Sequence, residues 1–123
     1  SIRAGLQRDA WALSEDLATV IFHEESLKSR FYNDCSDDDI EWVKPMLVPQ
    51  PTGPLIDTIQ TTSENFGRVP KVYIECEIDG ALPLDYQREM QANVPCDRTI
   101  TMGTGHSPFL SAPAELVANL VSI

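Results

Sequence analysis

An α/β fold with parallel strand pairing is predicted for this chain of 123 residues, on three observations. The run Lys71-Val72-Tyr73-Ile74-Glu75-Cys76-Glu77-Ile78 is rich in β-branched and aromatic residues and stops at Asp79-Gly80-Ala81-Leu82-Pro83, as a strand entering a loop does. A second such run, Arg98-Thr99-Ile100-Thr101-Met102, stops at Gly103-Thr104-Gly105-His106. A helical pattern follows each: Tyr86, Met90 and Val94 recur every four residues, and Pro113 opens a segment carrying Leu116, Val117, Leu120 and Val121. Strand-helix-strand-helix implies parallel strands, a right-handed crossover and helices covering both sheet faces. Two strands do not make such a sheet alone, so further strands are expected from an N-terminal part or from another chain.

The elements before residue 66 read differently. Trp11 to Asp16 is expected as a short strand turning at Ser14-Glu15-Asp16, and Thr19-Val20-Ile21-Phe22 as its hairpin partner. Glu24 to Asp34 reads as a helix with Leu27 and Phe31 on one face. Ser36 has the character of an N-cap, with Asp37, Asp38 and Asp39 complementing the positive end of the next helix. Ile40, Val43 and Leu47 form its apolar face, and Pro45, lacking an N–H, should stop or kink it. Pro49-Gln50-Pro51-Thr52-Gly53-Pro54 reads as a linker, and Leu55, Ile56 and Ile59 as a short apolar segment. The chain thus divides into a mixed, cap-like region 1–65 and an α/β region 66–123.

Composition narrows the function. The formal net charge of -10 leaves nothing to neutralise phosphates, so no nucleic-acid partner is expected. No apolar run reaches 18 residues, so no membrane partner is expected. The chain opens on Ser1 with no basic segment and apolar core after it, so no secretory signal is expected. The cluster Asp34, Asp37, Asp38, Asp39 and Glu41 reads as a solvated surface plus a helix start. Cys35, Cys76 and Cys96 are odd in number and not spaced as metal ligands. Neither a disulfide framework, a metal nor another cofactor is indicated, and a reducing compartment, the cytoplasm, is the expected location. Cys76 reads as a small core residue.

The residues that carry chemistry are Asp79 and His106. A carboxylate after one strand and a histidine after the next are the last two members, in chain order, of a nucleophile–acid–histidine triad. No G-x-S-x-G occurs, and Ser14, Ser26, Ser29, Ser36, Ser63, Ser111 and Ser122 lack a strained-turn context. Ser107 adjoins His106, and neighbours rarely adopt nucleophile–base geometry. His23 reads as a surface histidine at a helix start.

Four segments in order, Phe31-Tyr32-Asn33-Asp34-Cys35-Ser36, Asn65 to Ile74, Ile78-Asp79-Gly80-Ala81-Leu82-Pro83 and Gly105-His106-Ser107-Pro108-Phe109, resemble an α/β-hydrolase. The subgroup is that of plant methylesterases and hydroxynitrile lyases with their bacterial esterase relatives. The resemblance implies a C-terminal portion of that fold: a mostly helical cap, then the last two core strands with their helices. It makes Asp79 the triad acid and His106 the triad base, and it places the nucleophile elbow and the oxyanion loop upstream of these residues. It implies a small-molecule ester as substrate and a carboxylic-ester hydrolase as activity, with cyanohydrin cleavage also hosted on related frameworks. Trp11, Phe22, Trp42 and Leu82 are candidates for an apolar pocket, with core packing the plainer role. Two other readings stand beside it: a non-catalytic, self-associating hydrolase portion, and a small autonomous hydrolase with its own serine. A homo-oligomer, or association with an N-terminal hydrolase half, is the expected state.

Overall fold

A computed structural model describes residues 10–123. The chain folds as two small sheets joined by short helices. The first sheet is antiparallel, in the order β1-β2-β3. β1 (Trp11–Leu13) pairs with β2 (Thr19–Phe22), Trp11 opposite Phe22, as expected for the hairpin. The third strand was not expected: β3 (Gln50–Pro51) lies inside the proline-rich linker and pairs Gln50 with Val20. Proline is tolerated there because an edge strand presents one side to no partner. Leu17 closes the hairpin at φ 60, a left-handed conformation unusual for a branched residue.

Glu24 to Asp34 departs from the expected regular helix. A single α-turn, α1 (Glu24–Ser26), widens into a π-helical turn, Leu27–Phe31, and the helix ends there. The ending frees Tyr32 to Cys35 to form a turn that packs elsewhere. Ser36 then caps α2 (Asp37–Val43) through a capping box: its side chain accepts from the Asp39 N–H while Asp39 accepts from the Ser36 N–H. A 3-10 turn, Lys44–Met46, takes over where Pro45 removes a donor. α3 (Gly53–Ile56) and a 3-10 turn at Phe66–Arg68 complete the region. Leu27, Tyr32, Cys35 and Ile40 form its buried cluster, with Phe22, Phe31, Val43 and Leu110 packed around it.

The second sheet is the parallel pair read from the sequence. β4 (Val72–Cys76) and β5 (Arg98–Met102) run in register, Val72 opposite Arg98 and Cys76 opposite Met102. α4 (Leu84–Asn93) connects them, and α5 (Pro108–Ser111) and α6 (Pro113–Val121) follow. Side chains alternate across a strand. Glu75 and Thr101 therefore share a face, and Glu75 accepts from Arg88 and Gln91 of α4. The opposite face meets the end of α6, where Arg98 donates to the Ser122 carbonyl.

Coverage differs from the expectation in two ways. The α4 contact is polar, because Gln87 is its buried residue, while Tyr86 and Met90 are half-buried and Val94 lies exposed past its end. The stripe on α6 is not buried: Leu116 is half-buried, and Val117, Leu120 and Val121 are exposed. No described helix is long and apolar enough to cross a membrane.

Candidate active site

The site begins where the parallel ladder runs past its strands. The Glu77 N–H donates to Met102 O (2.9 Å) and the Ile78 N–H to Thr104 O (3.1 Å), so both loops leave the sheet in step. Asp79 and His106 are thereby brought face to face. His106 Nδ1 lies 2.9 Å from Asp79 Oδ2 and 3.0 Å from Oδ1. The Asp79 side chain is 6% exposed and the His106 side chain 31%.

Asp79 Oδ1 also accepts the backbone N–H groups of Ala81 and Leu82, each at 2.8 Å. Burial pushes the carboxyl pKa up. The His106 hydrogen bond, the Leu82 amide, the imidazole charge and the Ala81 amide together outweigh it and hold Asp79 below the ordinary carboxylate range. An ionised carboxylate only accepts, so in the neutral form of the ring the hydrogen sits on Nδ1 and Nε2 carries the lone pair. Nε2 has no hydrogen-bond partner among the described residues. The Phe31 ring meets the imidazole edge-on, centroids 5.3 Å apart. An imidazole held this way can take a proton at Nε2 while the carboxylate stabilises the resulting cation.

The other singled-out residues fall outside this pair. Ser107 is 2% exposed and donates its hydroxyl to the Phe31 carbonyl at 2.7 Å, which makes it a tether between segments. No described serine hydroxyl bonds to His106. Ser36 is the helix cap, and Ser14, Ser29, Ser111 and Ser122 bond to neighbouring turns. His23 is exposed at the start of α1. Trp11 and Phe22 pair across the hairpin, Trp42 is exposed on α2, and Leu82 is half-buried. A cavity of about 460 Å³, bordered by Glu24, Lys28, Asp37 and Lys44, shares no residue with the pair. Its two lysines are both paired, Lys28 with Asp37 and Lys44 with Glu24 and Glu41, and the four carboxylates of its lining leave it net acidic. Cys35, Cys76 and Cys96 are free, and burial pushes the Cys35 and Cys76 thiols up, toward the inert form. No group of three or more histidines, cysteines, aspartates or glutamates that could hold a metal occurs among the described residues.

Three residues that shape the site were not singled out from the sequence. Gln87 accepts from the Cys76 N–H and donates to the carbonyls of Cys76 and Leu82, spanning the loop that carries Asp79. Asn33 donates to Ile78 O, and Asp34 accepts from the Gly105 N–H. Asp34 had been grouped with the solvated acids; it alone of that cluster reaches a site loop. The available signal was its position, a polar pair bracketed by Tyr32 and Cys35.

Fold and sequence together define the class. The chain belongs to the alpha/beta hydrolase family, which it matches over residues 2–120. Its parallel strands with helices after each are the C-terminal portion of that fold, as expected. Within the family it is similar to methyl jasmonate esterase 1 of Vitis vinifera, 32% identical over 109 residues that cover 85% of this chain and 42% of the relative. It is likewise similar to methylesterase 7 of Arabidopsis thaliana, 33% identical over 110 residues, 87% of this chain and 42% of the relative. The chain therefore spans about two-fifths of the length of these relatives. Among solved structures, a methylesterase from Arabidopsis superposes with a TM-score of 0.82 at 22% identity, over 91% of this chain and 51% of that one. Tomato methylketone synthase I with 2-tridecanone superposes at 0.83 and 18% identity, over 98% and 50%. At such identities the likeness is one of fold.

Proposed function

We propose that this chain supplies the acid and the histidine of a Ser-His-Asp triad in a carboxylic-ester hydrolase acting on a small-molecule ester. His106 is the general base and Asp79 its orienting acid. Region 1–65 serves as the cap and 66–123 as part of the core. The observation that carries this reading is the 2.9 Å contact between Asp79 and His106 Nδ1, made in a member of a hydrolase family. The nucleophile and the oxyanion donors lie outside these 123 residues. Without donors aimed at the developing oxyanion, most of the acceleration is lost. The three free thiols fit a reducing compartment, the cytoplasm.

A second observation favours association. Val117, Val121 and Ile123 are 58%, 82% and 60% exposed at one end of the chain. An apolar surface of this kind is covered by a partner. A hydrolase half that completes the sheet, or a second copy, would cover it, and sedimentation that finds a compact monomer at micromolar concentration would remove this argument.

The decisive assay is hydrolysis of a chromogenic ester by the chain alone and with a polypeptide carrying a nucleophile elbow and oxyanion loop. Turnover is expected only with both, together with a drop of about 10⁴-fold on Asp79→Asn. A covalent serine probe should label the added polypeptide. Labelling of a serine in this chain would select the autonomous hydrolase, and no turnover in any combination would select the non-catalytic module.

A further inference from the structure

We propose that Asn33 and Asp34 form a positioning dipeptide that sets the separation of Asp79 and His106; this rests on the reading above and adds residues to it. The two side chains reach opposite loops. Asn33 Nδ2 donates to Ile78 O at 2.7 Å, on the residue before Asp79. Asp34 Oδ2 accepts from the Gly105 N–H at 2.6 Å, on the residue before His106. Two consecutive residues of the cap-like region therefore hold the residue preceding the acid and the residue preceding the base.

The surrounding contacts converge on the same segment, where the Asn33 amide nitrogen, and not its buried oxygen, finds a partner among the described residues. The Ser107 hydroxyl, just after His106, donates to Phe31 O, so the histidine is tethered on both sides to the short segment 31–34. A Cβ on Gly105 would collide with the Asn33 carboxamide and the Asp34 carboxylate, so glycine is what lets them close on the loop. Turning the Asn33 carboxamide over would set its oxygen against Ile78 O, which fixes the amide's orientation. Neither Asn33 nor Asp34 hydrogen-bonds to His106, and each acts through the backbone of a loop.

Small displacements of such loops matter, because misplacing a reacting group by about 1 Å costs about 100-fold in rate. The device also couples two regions: whatever moves the Tyr32–Cys35 turn moves the acid and the base relative to one another.

The test uses the isotopically labelled chain and needs no substrate. Parent chain, N33A, D34A and D34N are compared by three readouts: the His106 tautomer from ring-nitrogen correlations, Gly105 amide exchange, and the urea midpoint. D34A is expected to speed Gly105 exchange about 10-fold, the loss of one charge-assisted bond. It should also mix the His106 tautomers, whereas the parent holds hydrogen on Nδ1. D34N retains a side-chain carbonyl for the Gly105 N–H and should restore both signals toward the parent. N33A should mix the tautomers through the other loop. A merely structural role would lower the urea midpoint and leave the tautomer in place. That result in D34A and N33A, or an unmoved Gly105 amide in D34A, would overturn the proposal. Should D34A fail to fold, N33A alone decides by the same tautomer readout. If these shifts occur but no combination with a nucleophile-bearing polypeptide turns over ester, the hydrolase reading fails and the clasp stands.

Discussion

Replacing Gln87 by methionine should cost more than any other single change at a polar residue of α4. Gln87 is 2% exposed, so its amide sits out of water. Its oxygen accepts the Cys76 N–H at 3.0 Å, and its nitrogen donates to Cys76 O at 2.9 Å and Leu82 O at 2.7 Å. Methionine preserves length and volume, so the change removes hydrogen bonds without opening a large cavity. Three backbone groups then lose their partner. Each buried orphan costs about 1–3 kcal/mol. Cys76 O suffers least, because the Asp79 N–H remains 3.4 Å away. A loss of about 3–5 kcal/mol follows, a large share of the 5–15 kcal/mol typical of a small domain. Urea unfolding of the two chains at equal concentration measures it. Gln91→Met is the control. It removes one bond to Glu75 and one from Thr99 on a half-buried side chain, and it should cost about 1 kcal/mol. A loss below about 1 kcal/mol for Gln87→Met, or equal losses at the two positions, would refute the argument.

Further outcomes follow from the same structure. Ser36→Ala removes the capping box of α2 and should lower stability by about 1 kcal/mol, read from the urea midpoint. Leu17→Gly relieves a left-handed conformation at an exposed turn and should raise stability by about 0.5–1 kcal/mol, read from the same midpoint. Gly80→Ala would drive a Cβ into the backbone at Ser29 and Arg30, and a loss of about 1–3 kcal/mol is expected. The Asp79 carboxyl is held below its ordinary range, so its contribution is full above about pH 4 and is lost as pH falls through the lowered value. The acid-unfolding limb of Asp79→Asn should accordingly be shallower than that of the parent; an unchanged limb would contradict the depressed carboxyl.

The parallel pair was legible because β4 and β5 are written in β-branched and aromatic residues and end at loops punctuated by glycine, Gly80 after one and Gly103 and Gly105 after the other. The same punctuation singled out Asp79 and His106, since residues just past adjacent parallel strands share one end of a sheet. α2 was legible from a local signal, Ser36 with Asp39 three residues on. What was hidden depends on tertiary contacts. β3 is two residues of a proline-rich stretch, and only its pairing with Thr19 and Val20 makes it a strand. The early end of the helix after Ser26 has no breaker in the sequence; the chain leaves helical geometry where Tyr32 and Cys35 turn into the core. Apolar spacing misdirected α4, because its inward residues, Gln87 and Gln91, are polar and find partners on the sheet. Asn33 and Asp34 bond to backbone atoms, which any residue offers, so nothing at the receiving end marks them in the sequence.

The polar character of these contacts bears on how the site keeps its shape. Apolar burial is non-directional and scales with area, so it fixes how close two segments lie better than how they are rotated. Around Asp79 and His106 the fully buried apolar side chain is Met102, at 0% exposure, while Ile74 and Ile100 on the sheet are only half-buried. Orientation falls instead to directional bonds: Gln87 from α4, Asn33 and Asp34 from the Tyr32–Cys35 turn, and the Ala81 and Leu82 amides that hold the Asp79 carboxylate in place. Each ends on backbone beside the two loops or on the carboxylate itself. Steric room enters as well, because Gly80 and Gly105 allow Ser29, Arg30, Asn33 and Asp34 to approach both loops without an intervening Cβ. A geometry defined by donors and acceptors has a narrow tolerance in distance and angle. It is the kind of restraint a 2.9 Å contact between a carboxylate and an imidazole requires, and a larger apolar core alone would not supply it.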